Sequence, residues 1–82
     1  MAKLELGESD RLKIGIKQSM RALNENLAST LYIAKDADAA LTAELIRLSE
    51  TRQVPIVYAE SMKELGRACH IDVGAATAVV LK

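Results

Sequence analysis

Apolar residues at Ile16, Met20, Leu23 and Leu27 recur at intervals of four, three and four. At about 100° per residue they form a stripe about 60° wide, the signature of a helix over 16–27 with one buried face. Lys17, Gln18 and Arg21 fall roughly 100° to 200° from Ile16, outside that stripe. The next block, STLYIAKD, places Leu31, Tyr32 and Ile33 together before polar Lys35 and Asp36, and predicts a buried strand. DADAALTAELIRLSETR returns to helical spacing, with Leu41, Leu45 and Leu48 on one face and Asp38 as N-cap. VPIVYA predicts a second strand, its proline near the strand start, where a missing ladder donor is tolerated. Ser61 and Glu64 have the Ser-x-x-Glu form of a capping box and start a short helix towards Cys69. GAATAVVL closes the chain as a strand of small and β-branched residues. Alternating strand and helix imply an α/β fold with helices covering a small sheet, organised as a single domain over 1–82.

Composition narrows this picture. Half of the 82 residues are hydrophobic, yet Trp and Phe are absent and there are two Tyr, so the core is aliphatic. Tyr32 and Tyr58 lie in apolar strands and are expected to pack in that core. Cys69 has no partner for a disulfide, and with no signal peptide in view the expected compartment is the reducing cytoplasm. No apolar run approaches the roughly 18 residues of a membrane span. Lys plus Arg and Asp plus Glu both total 11, so sequence-blind phosphate binding should be weak.

The sequence offers little for catalysis. His70 is the sole histidine, and its neighbour Cys69 would not normally face it, so neither a nucleophilic dyad nor a zinc set is expected. Asp36 and Asp38 read as turn and capping residues. Neither a GxGxxG nor a GxxxxGK phosphate loop occurs. Without Phe or Trp, the chain lacks the stacking platform of a typical single-strand RNA reader. An enzyme would need a deep pocket with convergent polar groups. No cofactor, metal or small-molecule substrate is expected.

One feature survives this filter. From Arg11 to Arg21 there are four basic residues and no acidic one. A helix start carries unsatisfied N–H groups and partial positive charge, so acids belong there. Here the first turn holds Lys17 and Gln18. Lys13, Lys17 and Arg21 recur every four residues, which costs a free helix a few tenths of a kcal/mol per like-charged pair. Gly15, lacking a Cβ, allows close backbone approach, and Gln18 both donates and accepts. The residues alone leave open a nucleic-acid contact or a solvated polar face.

GIKQSMRAL, LYIAKDAD, the Leu65–Gly66 pair and IDVGAA together resemble the kink-turn RNA-binding ribosomal proteins, the family named "L seven Ae" and "L thirty e". The likeness runs from about Lys13 onwards and is nearest to the small bacterial, YbxF-like members. It implies a three-layer α/β/α sandwich with a small mixed sheet, binding sharply bent RNA with sheared G·A pairs beside a bulge. Carried over, Gly15, Lys17 and Gln18 would contact the G·A pairs, with Arg21 a basic contact one turn on. Archaeal relatives have Asn-Glu where this chain has Lys17-Gln18, so readout details should differ. Lys35 and Asp36 would border that surface, and the loop Ile71, Asp72, Val73, Gly74 and Ala75 would supply apolar contacts to bulged nucleotides. The glycine usual after the first helix is missing, leaving Asn26 as the left-handed C-cap. His70 stands where bacterial relatives have glycine, beside the bulge-reading loop, either to stack on a nucleotide or, the favoured reading, to stiffen the turn. The resemblance thus implies a cytoplasmic, non-enzymatic RNA binder, monomeric when free, on ribosomal RNA or another structured transcript. The alternative is a protein-interaction module of the same fold binding a ribosomal or other protein.

Overall fold

The computed structural model describes residues 11–82. The acids Glu5, Glu8 and Asp10 lie outside the described residues. The described elements are β1 (Leu12–Ile14), α1 (Ile16–Asn24), β2 (Ala28–Ala34), α2 (Ala39–Thr51), β3 (Ile56–Ala59), α3 (Met62–Ala68) and β4 (Thr77–Leu81).

The strands form one mixed sheet in the order β1-β4-β2-β3. β4 runs antiparallel to both β1 and β2, and β3 runs parallel to β2. Strand alternation divides the core in two. Leu31, Ile33 and Val79 face α1 and α2, packing with Ala22, Leu23 and Leu45. Tyr32, Ala34 and Ala78 face the other way, packing with Leu65 and Cys69 at α3 and with Leu12 and Ile14 of β1. This is the expected α/β/α sandwich. Leu23, Leu31, Leu45 and Leu65 are fully buried, each contributing roughly 1.5–3 kcal/mol relative to exposure.

All three helices end alike. The residue after each C-cap is left-handed: Asn26 (φ 58°), Gln53 (φ 59°) and His70 (φ 60°). The next N–H then reaches back to the helix, from Leu27 to Ala22 O, Val54 to Ser49 O and Ile71 to Gly66 O. These are Schellman endings without glycine. The expected C-cap role of Asn26 is met, and His70 occupies the turn geometry that favours glycine.

Several expectations need correction. α1 stops at Asn24, so Leu27 leaves the helical stripe and is 45% exposed. Lys13 belongs to strand β1, so of the basic trio only Lys17 and Arg21 share a helix. α2 buries Thr42, Leu45 and Ser49 instead of Leu41, which is 55% exposed. The two hydroxyls bury at little cost because they donate to the helix's own carbonyls, Thr42 to Asp38 and Ala39, and Ser49 to Ile46. Tyr58 lies on the edge strand and is exposed, while Tyr32 is half-buried. Ile71, expected among the apolar contacts of the loop before the last strand, is half-buried against the α3 cluster.

Candidate nucleic-acid interface

β1, β2 and β3 point the same way, and each passes through a short turn into a helix. The N-termini of α1, α2 and α3 therefore gather at one end of the sheet, where β4 begins. Each helix start directs unpaired N–H groups and partial positive charge outward. Capping decides which of these starts remains open to a partner.

Two of the three are closed by side chains. Asp38 Oδ1 accepts from Ala40 N at 2.8 Å at the start of α2. Ser61 Oγ accepts from Glu64 N at 3.0 Å in α3, the first half of the expected capping box. Asp36 Oδ1 accepts from Met62 N at 2.7 Å, so it too serves α3, from a neighbouring loop. The start of α1 is different. Its N-cap is Gly15, with no side-chain cap and no acid in the first turn.

Gly15 adopts φ 105° and ψ 164°, a conformation essentially confined to glycine. A Cβ there would meet nothing within 4 Å. The position thus needs glycine for its backbone, and the space in front of it is open. Lys17 and Gln18 are exposed in the turn beyond it. Among the described residues Lys17 has no ion pair, whereas Arg21 Nε donates to Glu25 Oε2 at 3.0 Å and Lys35 Nζ to Glu60 Oε1 at 3.0 Å.

The backbone behind this opening is fixed. Gly15 N donates to Thr77 O at 2.9 Å. Thr77 Oγ1 donates to Tyr32 O at 2.9 Å, and Ser19 Oγ lies 3.3 Å from Thr77 Oγ1. With its one hydrogen committed to Tyr32, Thr77 accepts from Ser19. Both hydroxyl residues are fully buried, and they tie the first turn of α1 to β4 and β2. Nothing in the local sequence marked Ser19 or Thr77, whose roles depend on strand order.

The loop before β4 reaches the same end of the sheet. Ala34 N donates to Ala76 O and Ala75 N to Met62 O. A Cβ on Gly66 would stand 2.1 Å from Val73 O, so the loop lies directly on the α3 backbone. A glycine inside a helix is the sequence signal for such an approach. Val73 is 70% exposed and Met62 37%, giving this side an apolar surface. Asp72 and Gly74 are exposed, and Ala75 is buried with Leu65 and Ala78.

The structure therefore gathers Gly15, Lys17, Gln18, Lys35, Asp36 and the 71–75 loop at one sheet end. Lys13, on β1, and Arg21, on α1, sit to one side. Among the described residues no group of His, Cys, Asp and Glu is arranged to hold a metal, and no helix is long and apolar enough to cross a membrane. Burial pushes the Cys69 thiol pKa up, which disfavours the reactive thiolate.

The model of the ribosomal protein L7Ae/L30e/S12e/Gadd45 family matches residues 2–82. An RNA-binding protein of Halalkalibacterium halodurans is 40% identical over 78 residues, covering 95% of each chain. The RNA-binding protein YbxF of Geobacillus stearothermophilus is 37% identical over 75 residues, covering 92% of each. Among solved structures, a 15.5kD RNA binding protein of Giardia lamblia superposes with a TM-score of 0.82 at 32% identity. The match covers 88% of this chain and 61% of that one.

Proposed function

The chain belongs to the ribosomal protein L7Ae/L30e/S12e/Gadd45 family, and from that premise we propose that it is an RNA-binding module that recognises and stabilises kink-turns. The observation that carries the reading is the start of α1, which has no side-chain cap or first-turn acid while the other two helix starts are closed by Asp38, Ser61 and Asp36. An open helix start with flanking cations suits an anionic partner. Gln18 adds the paired donor and acceptor that a base edge requires.

In this reading Gly15 admits the RNA backbone, Lys17 neutralises phosphate, and Gln18 contacts the sheared pairs. The kink opens a groove that side chains cannot enter in regular A-form RNA. Lys35 and Asp36 border the contact, and Val73 with the exposed part of Ile71 packs on bulged nucleotides. Asp72 and Gly74 shape that loop, and Ala75 anchors it through burial in the core. Recognition rests on shape and local polarity, consistent with a chain of zero formal net charge. The protein acts without catalysis, as a monomer when free, in the cytoplasm, on ribosomal RNA or another structured transcript.

A protein-interaction role has weaker support. The exposed Val57 and Tyr58 are consecutive on β3 and so point to opposite sheet faces, not into one patch.

The test is a titration of a short kink-turn RNA beside a control whose G·A pairs are replaced by Watson–Crick pairs, at two salt concentrations. The proposal expects tight binding to the first, little to the second and a shallow salt slope. Equal, steeply salt-dependent binding to both would reject it in favour of a simple basic patch.

A further inference from the structure

Leu27 is left by the Schellman turn of α1 in the open, beside two cations that have no part in packing the core. It lines a cleft of about 360 Å³ between α1 and the sheet margin. Along one wall, Gln18, Arg21 and Glu25 follow one another at helical spacing. Opposite them stands Lys13, which pairs with Val79 in the register and so faces the α1 side of the sheet. Ala22, Leu27 and Leu81 make the apolar part. The volume lies at the lower end of the range for small-ligand sites, roughly 300–1,000 Å³. From Gln18 to Glu25 the wall runs about 10 Å, the scale of one nucleotide instead of a duplex.

We propose that this cleft holds a single unpaired nucleotide of a bound RNA chain, its phosphate between Lys13 and Arg21 and its base against Leu27 and Leu81. The assignment rests on the RNA-binding reading and deepens it, because Gln18 belongs both to the cleft and to the open start of α1. Three observations favour this occupant. Two cations, Lys13 and Arg21, and three apolar residues, Ala22, Leu27 and Leu81, line the same small cleft, which fits a phosphate joined to a flat ring. Glu25 at the far end opposes a second phosphate, so a backbone running the length of the cleft is disfavoured. Arg21 is held by Glu25 in an exposed pair, with the two side chains 74% and 49% accessible. Such pairs are weak, so an entering phosphate can draw Arg21 across at little cost.

The test uses the full chain labelled with nitrogen-15, titrated separately with adenosine 5′-monophosphate, inorganic phosphate and single-stranded tetraadenylate. The proposal expects saturable amide shifts at Gln18, Arg21, Leu27 and Leu81 with the monophosphate, and tighter binding of tetraadenylate through the same residues. Lys13→Gln and Leu27→Ser should each raise both dissociation constants at least threefold. Lys13→Gln changes an exposed side chain and keeps the test decisive if Leu27→Ser folds poorly. Absence of shifts in the cleft would overturn the proposal. So would identical shifts from inorganic phosphate, which would leave an anion contact without a base pocket, or weaker binding of tetraadenylate than of the monophosphate. None of these ligands contains a kink-turn, so the result is independent of whether the chain recognises that motif.

Discussion

At the start of α1, polar side chains stand on a helix tied to β4 and β2 through Gly15, Ser19 and Thr77. Across the same sheet end, the loop from Ile71 to Ala75 presents an exposed valine and rests on the bare backbone of Gly66. The first region is positioned by hydrogen bonds inside the fold and left electrostatically open. The second is positioned by steric fit and left apolar. Together they form a surface whose two halves should fail differently when altered, and single substitutions can separate them.

Gly66→Ala should have the largest effect. Its Cβ would fall 2.1 Å from Val73 O, against loop backbone, so either the loop or α3 must move. Overpacking of this kind costs roughly 1–3 kcal/mol. Urea unfolding should show that loss, and kink-turn affinity should fall at least tenfold as the loop leaves its place. Gln18→Ala tests the polar half without touching the core. It should weaken kink-turn binding by about 1–3 kcal/mol, the range of a base-reading contact, while the unfolding midpoint stays put. Unchanged affinity in a folded variant would move the reading surface elsewhere. Val73→Ser should cost less, about 1 kcal/mol of affinity from lost apolar burial, with an unaltered salt slope. An altered slope would mean that the loop half is not apolar in function. The smallest effect belongs to His70→Gly, which relieves a left-handed non-glycine residue costing about 1–2 kcal/mol and loses about 0.4–1 kcal/mol to the freer unfolded chain, so thermal melts should show a gain of about 1 kcal/mol or less. If ending α3 is the whole of its role, kink-turn affinity should change less than twofold, and a larger loss would place the His70 ring against the RNA.

The sequence was legible where periodicity and capping act locally. Asp38 and Ser61 cap where their spacing predicts, Asn26 takes the left-handed position, and the alternation of elements yields an α/β fold with helices covering a small sheet. β1 escaped notice because Leu12–Ile14 is too short for a strand pattern, and its lysine completed a false four-residue rhythm with Lys17 and Arg21. The burial of Thr42 and Ser49 over Leu41 was hidden because backbone acceptors neutralise those hydroxyls only once the helix exists. The polar half of the candidate site was visible as an anomaly, cations where a helix start calls for acids. Its fixed support was not. Ser19 and Thr77 lie 58 positions apart, and only the β1-β4-β2 strand order brings them together.

The proposed function stands or falls on whether the start of α1 is kept open for RNA at some cost to the helix. Lys17→Glu separates the two sides of that trade, because its consequences have opposite signs. A first-turn acid should hold or raise stability, by about 0.3–1 kcal/mol through the helix dipole. The same charge should reduce kink-turn affinity at least tenfold by repelling phosphate. Measuring the unfolding midpoint and the kink-turn dissociation constant on one preparation decides the matter. Stability should be maintained or increased while affinity is lost, and a stable variant that binds the kink-turn as well as the parent would refute the proposal.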